Sequence, residues 1–331
     1  MEIKAADVAK LRQMTGAGMM DCKKALVEAN GDYERAKEII REKGKLVAAK
    51  RADRETSEGR VIAKVNGDKA IVIGLGCETD FVAKNAEFVA LAEAIAEAAI
   101  ASCPADKDAL MACVLADGRT VEAAVTEQTG KTGEKHQIAG YEVVEAPYIV
   151  AYMHNVTGKL AALVGFNKEF DAQVAKGVAM QVASMNPVAV SAESVPQSVI
   201  DAELKTATEK TKEELVQKAV DAALSKAGIN PAHVDSEAHI ESNQAKGWIT
   251  AEQAEQAREI IKTVSAEKAA NLPEQMVANI AKGRLQKFFK EQTLEEQGYQ
   301  MGDGKTSVKD VIKAADAEAK VLTFKRLSLA D

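Results

Sequence analysis

Residues 59–102 read GRVIAKVNGDKAIVIGLGCETDFVAKNAEFVALAEAIAEAAIAS, and two changes of pattern inside them decide the fold. Val61, Ala63 and Val65 alternate with polar residues, as on a half-buried strand. Asn66-Gly67 is a hairpin signal, because glycine accepts the positive φ that a tight two-residue turn demands. Ala70 to Leu75 is then β-branched and apolar. From Asn85 to Ser102 the spacing becomes helical, with Phe88, Leu91, Ala92, Ile95 and Ala99 on one face. A hairpin followed by a long Ala-rich helix is an α+β unit. A shorter helix at Thr120 to Thr129 and a strand at Gln137 to Glu145 complete a subdomain over 57–146.

The same order recurs downstream. Tyr148 to His154 and Leu160 to Phe166 read as strands joined by a turn at Asn155 to Gly158, and a helix from Phe170 to Met185 stops at Asn186-Pro187. A final helix at Ser307 to Ala315 and a strand at Lys320 to Leu327 belong to this second subdomain, 147–198 and 273–331. Between them, 199–272 is an almost wholly helical, highly charged insertion, read as a long coiled-coil-like hairpin with breaks at Gly228 to Pro231 and Lys246 to Trp248.

Residues 1–56 read as three short helices. Val8, Leu11 and Met14 mark the first, and Thr15-Gly16-Ala17-Gly18 breaks it. The second runs from Met19 to Ala29. Asn30-Gly31-Asp32 supplies a stop and a start, and the third covers Tyr33 to Lys43 before Gly44. Lys45 to Ser57, charged and without apolar periodicity, reads as a tether. Residues 1–56 carry 13 Lys/Arg against 10 Asp/Glu, while the whole chain has 43 against 50 and a net charge of −7. An acidic chain is a poor fit to sequence-independent nucleic-acid binding, which draws its affinity from phosphate neutralisation.

Other function classes find little support. Gly74-Leu75-Gly76 follows a strand, but the third glycine of a dinucleotide fingerprint falls on Thr79. Cys22, Cys77, Cys103 and Cys113 form no C-x-x-C pair, the four histidines show no zinc spacing, and Cys77 reads as a small core residue. The thiols suit a reducing cytoplasm. The longest apolar stretch, Phe88 to Ala101, is interrupted by Glu93 and Glu97 and is too short for a membrane span. His154 has the position of a general base at a strand end, yet no nucleophile elbow accompanies it, and a packing or interface role is the better reading. Expected, therefore, are no catalytic residue, no metal and no cofactor.

Two segments resist a purely structural reading. In 15–26, TGAGMMDCKKAL, a three-helix module has room for one of Met19 and Met20 inside. Adjacent helical positions point about 100° apart, so the other faces solvent as an adaptable contact, unless both line the core. In 77–84, CETDFVAK, either Asp80 caps a short helix with Phe81 packed inward, or a loop presents Phe81 beside an acid as an interface anchor.

TGAGMMDCKKAL at 15–26 and C-x-TDFVA at 77–83, in this order and at this separation, resemble the bacterial translation elongation factor Ts family. The likeness extends to the hairpins at 60–76 and 148–167 and to the helical segment around Ala281 to Phe289. It implies an α+β protein with an N-terminal three-helix, ubiquitin-associated-like module, two α+β core subdomains and a helical hairpin insertion. It also implies a non-enzymatic guanine-nucleotide exchange factor whose partner is elongation factor Tu, GDP-bound and nucleotide-free. Carried over by position, Thr79, Asp80, Phe81 and Val82 form the loop that dislocates the partner's Mg²⁺. Arg12, Met19 and Met20 form the module's contact, and His154 a contact of the second subdomain. A homodimer of the complex, no direct nucleic acid and no membrane complete the expected partners. The competing reading is a helical scaffold or chaperone-like protein, which would bind through 199–289 and leave Phe81 buried.

Overall fold

Pairing begins where the hairpin signal places it. In the computed structural model, which describes residues 3–330, strand β1 (Glu58–Asn66) pairs antiparallel with β2 (Lys69–Cys77) through a Gly67-Asp68 loop, with Gly67 at φ +63°. Helices α1 (Ala5–Thr15), α2 (Met19–Glu28) and α3 (Tyr33–Lys50) precede it. Four more helices follow: α4 (Asp80–Ala83), α5 (Ala86–Ser102), α6 (Lys107–Ala112) and α7 (Val121–Thr132). Strand β3 (Gln137–Glu145) then closes an antiparallel sheet of order β1-β2-β3.

β2 is buried on both faces, which is why its sequence is a continuous apolar run rather than an alternation. Ile71, Ile73, Leu75 and Cys77 pack with Phe88, Ala92 and Ile95 of α5. Ala70 and Val72 face the opposite way, toward the second sheet, with Val61, Ala63, Val144, Ala161 and Leu163.

The N-terminal helices enclose a small core of Val8, Leu11, Cys22, Ala25, Leu26 and Ala36. Asp32 caps α3 by accepting from the Glu34 and Arg35 amides. The third helix does not stop at Gly44, however, and the tether expected from Lys45 begins instead as helix, through Lys50. Gly44 is buried where α3 crosses α7; a Cβ on Gly130 of α7 would meet the Gly44 Cα at 2.8 Å. The close approach of the two helices requires glycine at 130, and Gly44 lies inside α3 without the positive φ of a left-handed stop.

Strands β4 (Tyr148–Met153) and β5 (Leu160–Phe166) with helix α8 (Ala172–Met185) begin the second subdomain. The chain divides into two compact units, Met1–Val190 with Gln297–Asp331, and Ser191–Glu296. In the second unit α9 (Gln197–Lys226), about 45 Å long at 1.5 Å per residue, is followed by α10 (Glu237–Ala245), α11 (Ala251–Ala270) and α12 (Glu274–Gln292). Both α11 and α12 pack along α9, so the helical unit is wider than the 199–272 expected. At one end of α9, Val220, Leu224, Ile229, Val234, Ile240 and Ile249 form a core of their own. In the first unit, α13 (Val308–Ala315) precedes β6 (Val321–Ser328), which completes an antiparallel sheet of order β4-β5-β6.

Candidate functional site

The turn between β2 and α5 sets one aromatic ring outside the protein. Its single helical turn, α4, places Phe81 and Ala83 about 200° apart. Ala83 is buried, Val82 packs partly against the core, and Phe81 is 84% exposed. The inward-packed alternative for Phe81 is therefore overturned. Polar contacts hold the residues on either side: Asn85 caps α5 through the Glu87 amide, and Lys84 Nζ lies 2.7 Å from Asp80 Oδ2.

The strand side of the turn is braced from two directions. Thr79 donates its amide to Glu134 Oε2 at 3.0 Å and its hydroxyl to Glu134 Oε1 at 2.6 Å. Glu78 accepts from Arg51 Nη1 at 2.8 and 2.9 Å and from the Lys135 amide at 2.6 Å. Lys135 Nζ in turn donates to the carbonyls of Ala52 and Arg54. The segment after α3, the α7–β3 connection and the exposed turn are thus one hydrogen-bonded assembly. Burial alone would raise the Glu78 carboxyl, but the Lys135 amide and the Arg51 guanidinium outweigh it and hold it below its ordinary value. The Lys84 ammonium likewise lowers Asp80. Both carboxylates are charged at neutral pH. Burial, reinforced by Glu134 and Glu58, pushes the Cys77 thiol up to about 12, which leaves it no nucleophilic character.

Sequence reasoning found Thr79, Asp80, Phe81 and Val82 but not their supports. Arg51, Glu134 and Lys135 carry no local signal, since Glu134 lies 55 residues from the threonine it holds.

The two methionines settle differently from either reading at 15–26. Met19 is 44% and Met20 63% exposed, and neither lies in the module's core, which α2 supplies through Cys22, Ala25 and Leu26. Met20, Lys24 and Val27 form an exposed stripe at i, i+4 and i+7. Arg12 is exposed in the last turn of α1.

His154 stands at the end of β4, half-buried, with Nδ1 3.1 Å from the Tyr152 hydroxyl and its amide donating to Leu160. Beyond it, Val156 is 89% exposed at the hairpin tip. The helical unit bears two surface hollows, one beside Lys210, Arg284 and Phe288 and the other beside Asp221, Pro231 and His239; neither includes His154. Among the described residues no cluster of His, Cys, Asp or Glu is placed to hold a metal, and no helix is long and apolar enough to cross a membrane.

Comparison with known proteins decides the family of a chain that carries this outward aromatic on a braced turn. A family profile described as Elongation factor TS matches residues 78–331. Curated proteins named Elongation factor Ts are 56% identical in Phocaeicola vulgatus and in Bacteroides fragilis, and 38% identical in Porphyromonas gingivalis, each over 99% of both chains. The chain belongs to the elongation factor Ts family. The elongation factor Ts match begins at Glu78, the first braced residue of the turn, and takes in the second sheet and the helical unit.

Proposed function

We propose that this protein promotes nucleotide exchange on elongation factor Tu during translation, by inserting the Phe81 turn into its partner. A GTPase of this type holds GDP through a phosphate cradle and a Mg²⁺ that demands near-ideal octahedral geometry. A ring driven against the elements that carry those ligands weakens nucleotide binding with no covalent step. Asp80 flanks the ring, and Val82 and Ala83 seat the turn on the core so that the displacing force is not absorbed by the protein itself. In this reading Arg12, Met19 and Met20 contact the partner separately, Met being suited to adaptable surfaces, and the hairpin tip at His154 makes a third contact. Linkage requires reciprocity: if the factor weakens GDP binding, GDP weakens factor binding by the same ratio.

The observation that carries the reading is the 84% exposure of Phe81 on a turn held by Glu134 on its strand side and running into the Asn85-capped start of α5 on the other. A single exposed aromatic is unremarkable on a mobile loop; on a braced one it is a pre-positioned anchor. The helical-scaffold alternative required Phe81 to be buried. The test is stopped-flow release of fluorescent GDP from elongation factor Tu, with the intact protein and with Phe81→Ala.

A further inference from the structure

Glu134 has two hydrogen bonds to one residue of the exposed turn, and its own geometry is unusually constrained. It follows Gly133, whose φ of +73° ends α7. Its amide donates to Thr132 Oγ1 at 3.1 Å, and its carbonyl lies 2.9 Å from the ring Nδ1 of buried His136. The carboxylate is then spent on Thr79 alone among the hydrogen bonds described: Oε2 on the amide and Oε1 on the hydroxyl. A carboxylate that satisfies both donors of one residue fixes its backbone and its rotamer together. Thr79 is the N-cap of α4, so fixing it fixes the direction in which the next turn leaves the sheet, and with it the side on which Phe81 emerges.

The geometry points to Glu134 as a positioning residue for exchange: it touches neither the partner nor its nucleotide in this role, and acts by holding Thr79 so that the Phe81 ring arrives already aimed. This inference rests on the exchange reading above. A floppy turn would still reach the partner, but ordering it there would consume the energy meant for displacement. The maximal rate of GDP release should therefore suffer more than the concentration of factor needed to reach half of it.

The experiment measures GDP release from elongation factor Tu over a range of factor concentrations, for the intact protein, Glu134→Ala, Phe81→Ala and the double variant. Glu134→Ala is expected to lower the maximal rate about tenfold, the loss that accompanies about one charge-assisted hydrogen bond, with the half-saturating concentration changed less than about twofold. In the Phe81→Ala background the same substitution should cost nothing further, because two residues acting through one contact do not add. Glu134→Gln, which keeps an acceptor for the Thr79 hydroxyl, should recover part of the rate. Thr79→Val removes only that hydroxyl at nearly constant volume, and is expected to lower the maximal rate in the same direction and to add nothing in the Glu134→Ala background; Glu134→Gln, alone and combined with Phe81→Ala, decides the matter if Glu134→Ala does not fold. An unchanged maximal rate in these variants, or a full multiplicative loss in the double variant, overturns the role of Glu134 while leaving the exchange reading intact. An unchanged rate in Phe81→Ala alone overturns both.

Discussion

Phe81 and Phe88 lie seven residues apart on either side of Asn85, and truncating each to alanine should have opposite consequences. Phe81 is 84% exposed and Phe88 fully buried between β2 and α5. Full burial of a phenylalanine side chain is worth about 1.5–3 kcal/mol, so the small covered part of Phe81 contributes about 0.5 kcal/mol or less to folding. Phe88→Ala removes a ring from a close-packed core and should cost about 3–5 kcal/mol. At roughly 2–4 °C per kcal/mol for a protein of this size class, that is on the order of 10 °C in melting temperature, against a change near zero for Phe81→Ala. In exchange the order reverses. If the Phe81 ring enters an apolar site on elongation factor Tu in the displaced state, its loss withdraws about 1.5–3 kcal/mol, or a ten- to hundredfold slower release at tenfold per 1.36 kcal/mol. Thermal melting followed by circular dichroism, beside the GDP-release assay, separates the two effects. A Phe81→Ala protein that melts like Phe88→Ala would show the ring to be part of the core, and one that melts normally and exchanges normally would show that it does not act on the partner.

The crossing of α3 and α7 gives a paired prediction. A Cβ on Gly44 would sit 3.6 Å from the nearest atoms of α7, so Gly44→Ala should be neutral or gain up to about 1 kcal/mol of helix propensity, whereas Gly130→Ala drives its Cβ to 2.8 Å from backbone and should lose about 1–2 kcal/mol net; equal melting temperatures for the two would show that the helices are not in close contact. Deleting residues 1–54 should lower the melting temperature of what remains, because it strips Arg51 from Glu78 and bares the α7 face that Gly44 covers; an unchanged transition contradicts the docked third helix. Burial holds His136 below its ordinary value, against the smaller opposing influence of Glu134 and Glu78, and its buried Nε2 has no hydrogen-bond partner among the described residues. The unfolded chain then binds the extra proton first. Stability is complete above about pH 6.5 and falls as the pH drops from there toward the depressed folded value, by up to about 1.4 kcal/mol per unit. His136→Gln should flatten that slope between pH 7 and 5.5, and identical slopes would show that this histidine is not responsible.

The elements that rest on local pattern were legible before the structure. The β3 strand occupies Gln137–Glu145 as its composition indicates, and α5 buries the predicted stripe and ends at Ser102. These regularities are written in consecutive residues, where strand and helix periods differ. What failed depends on residues distant in sequence. Gly44 has the same letter whether it ends a helix or lies inside one; here the helix runs on beneath α7, whose Gly130 is the glycine that the close contact requires. Neither Met19 nor Met20 enters the N-terminal module, because the smaller set Cys22, Ala25 and Leu26 fills its little core. For Phe81, hydrophobicity favoured burial, while its place beside Asp80 and the family motif favoured an outward anchor. Its outward direction follows from Ala83 and the partly buried Val82 occupying the inward positions of a four-residue helix, and from Glu134 and Arg51 holding the approach. No short-range rule contains those partners.

Under the proposed function, this chain accelerates nucleotide loss from elongation factor Tu through a pre-positioned turn and not through chemistry of its own. The most direct measurement is the rate at which fluorescent GDP leaves elongation factor Tu as this protein is titrated in. The release rate should rise and saturate with factor, with excess free GDP displacing the factor in return. A release rate identical with and without the protein, at concentrations where the two are shown to bind, would contradict the proposed function.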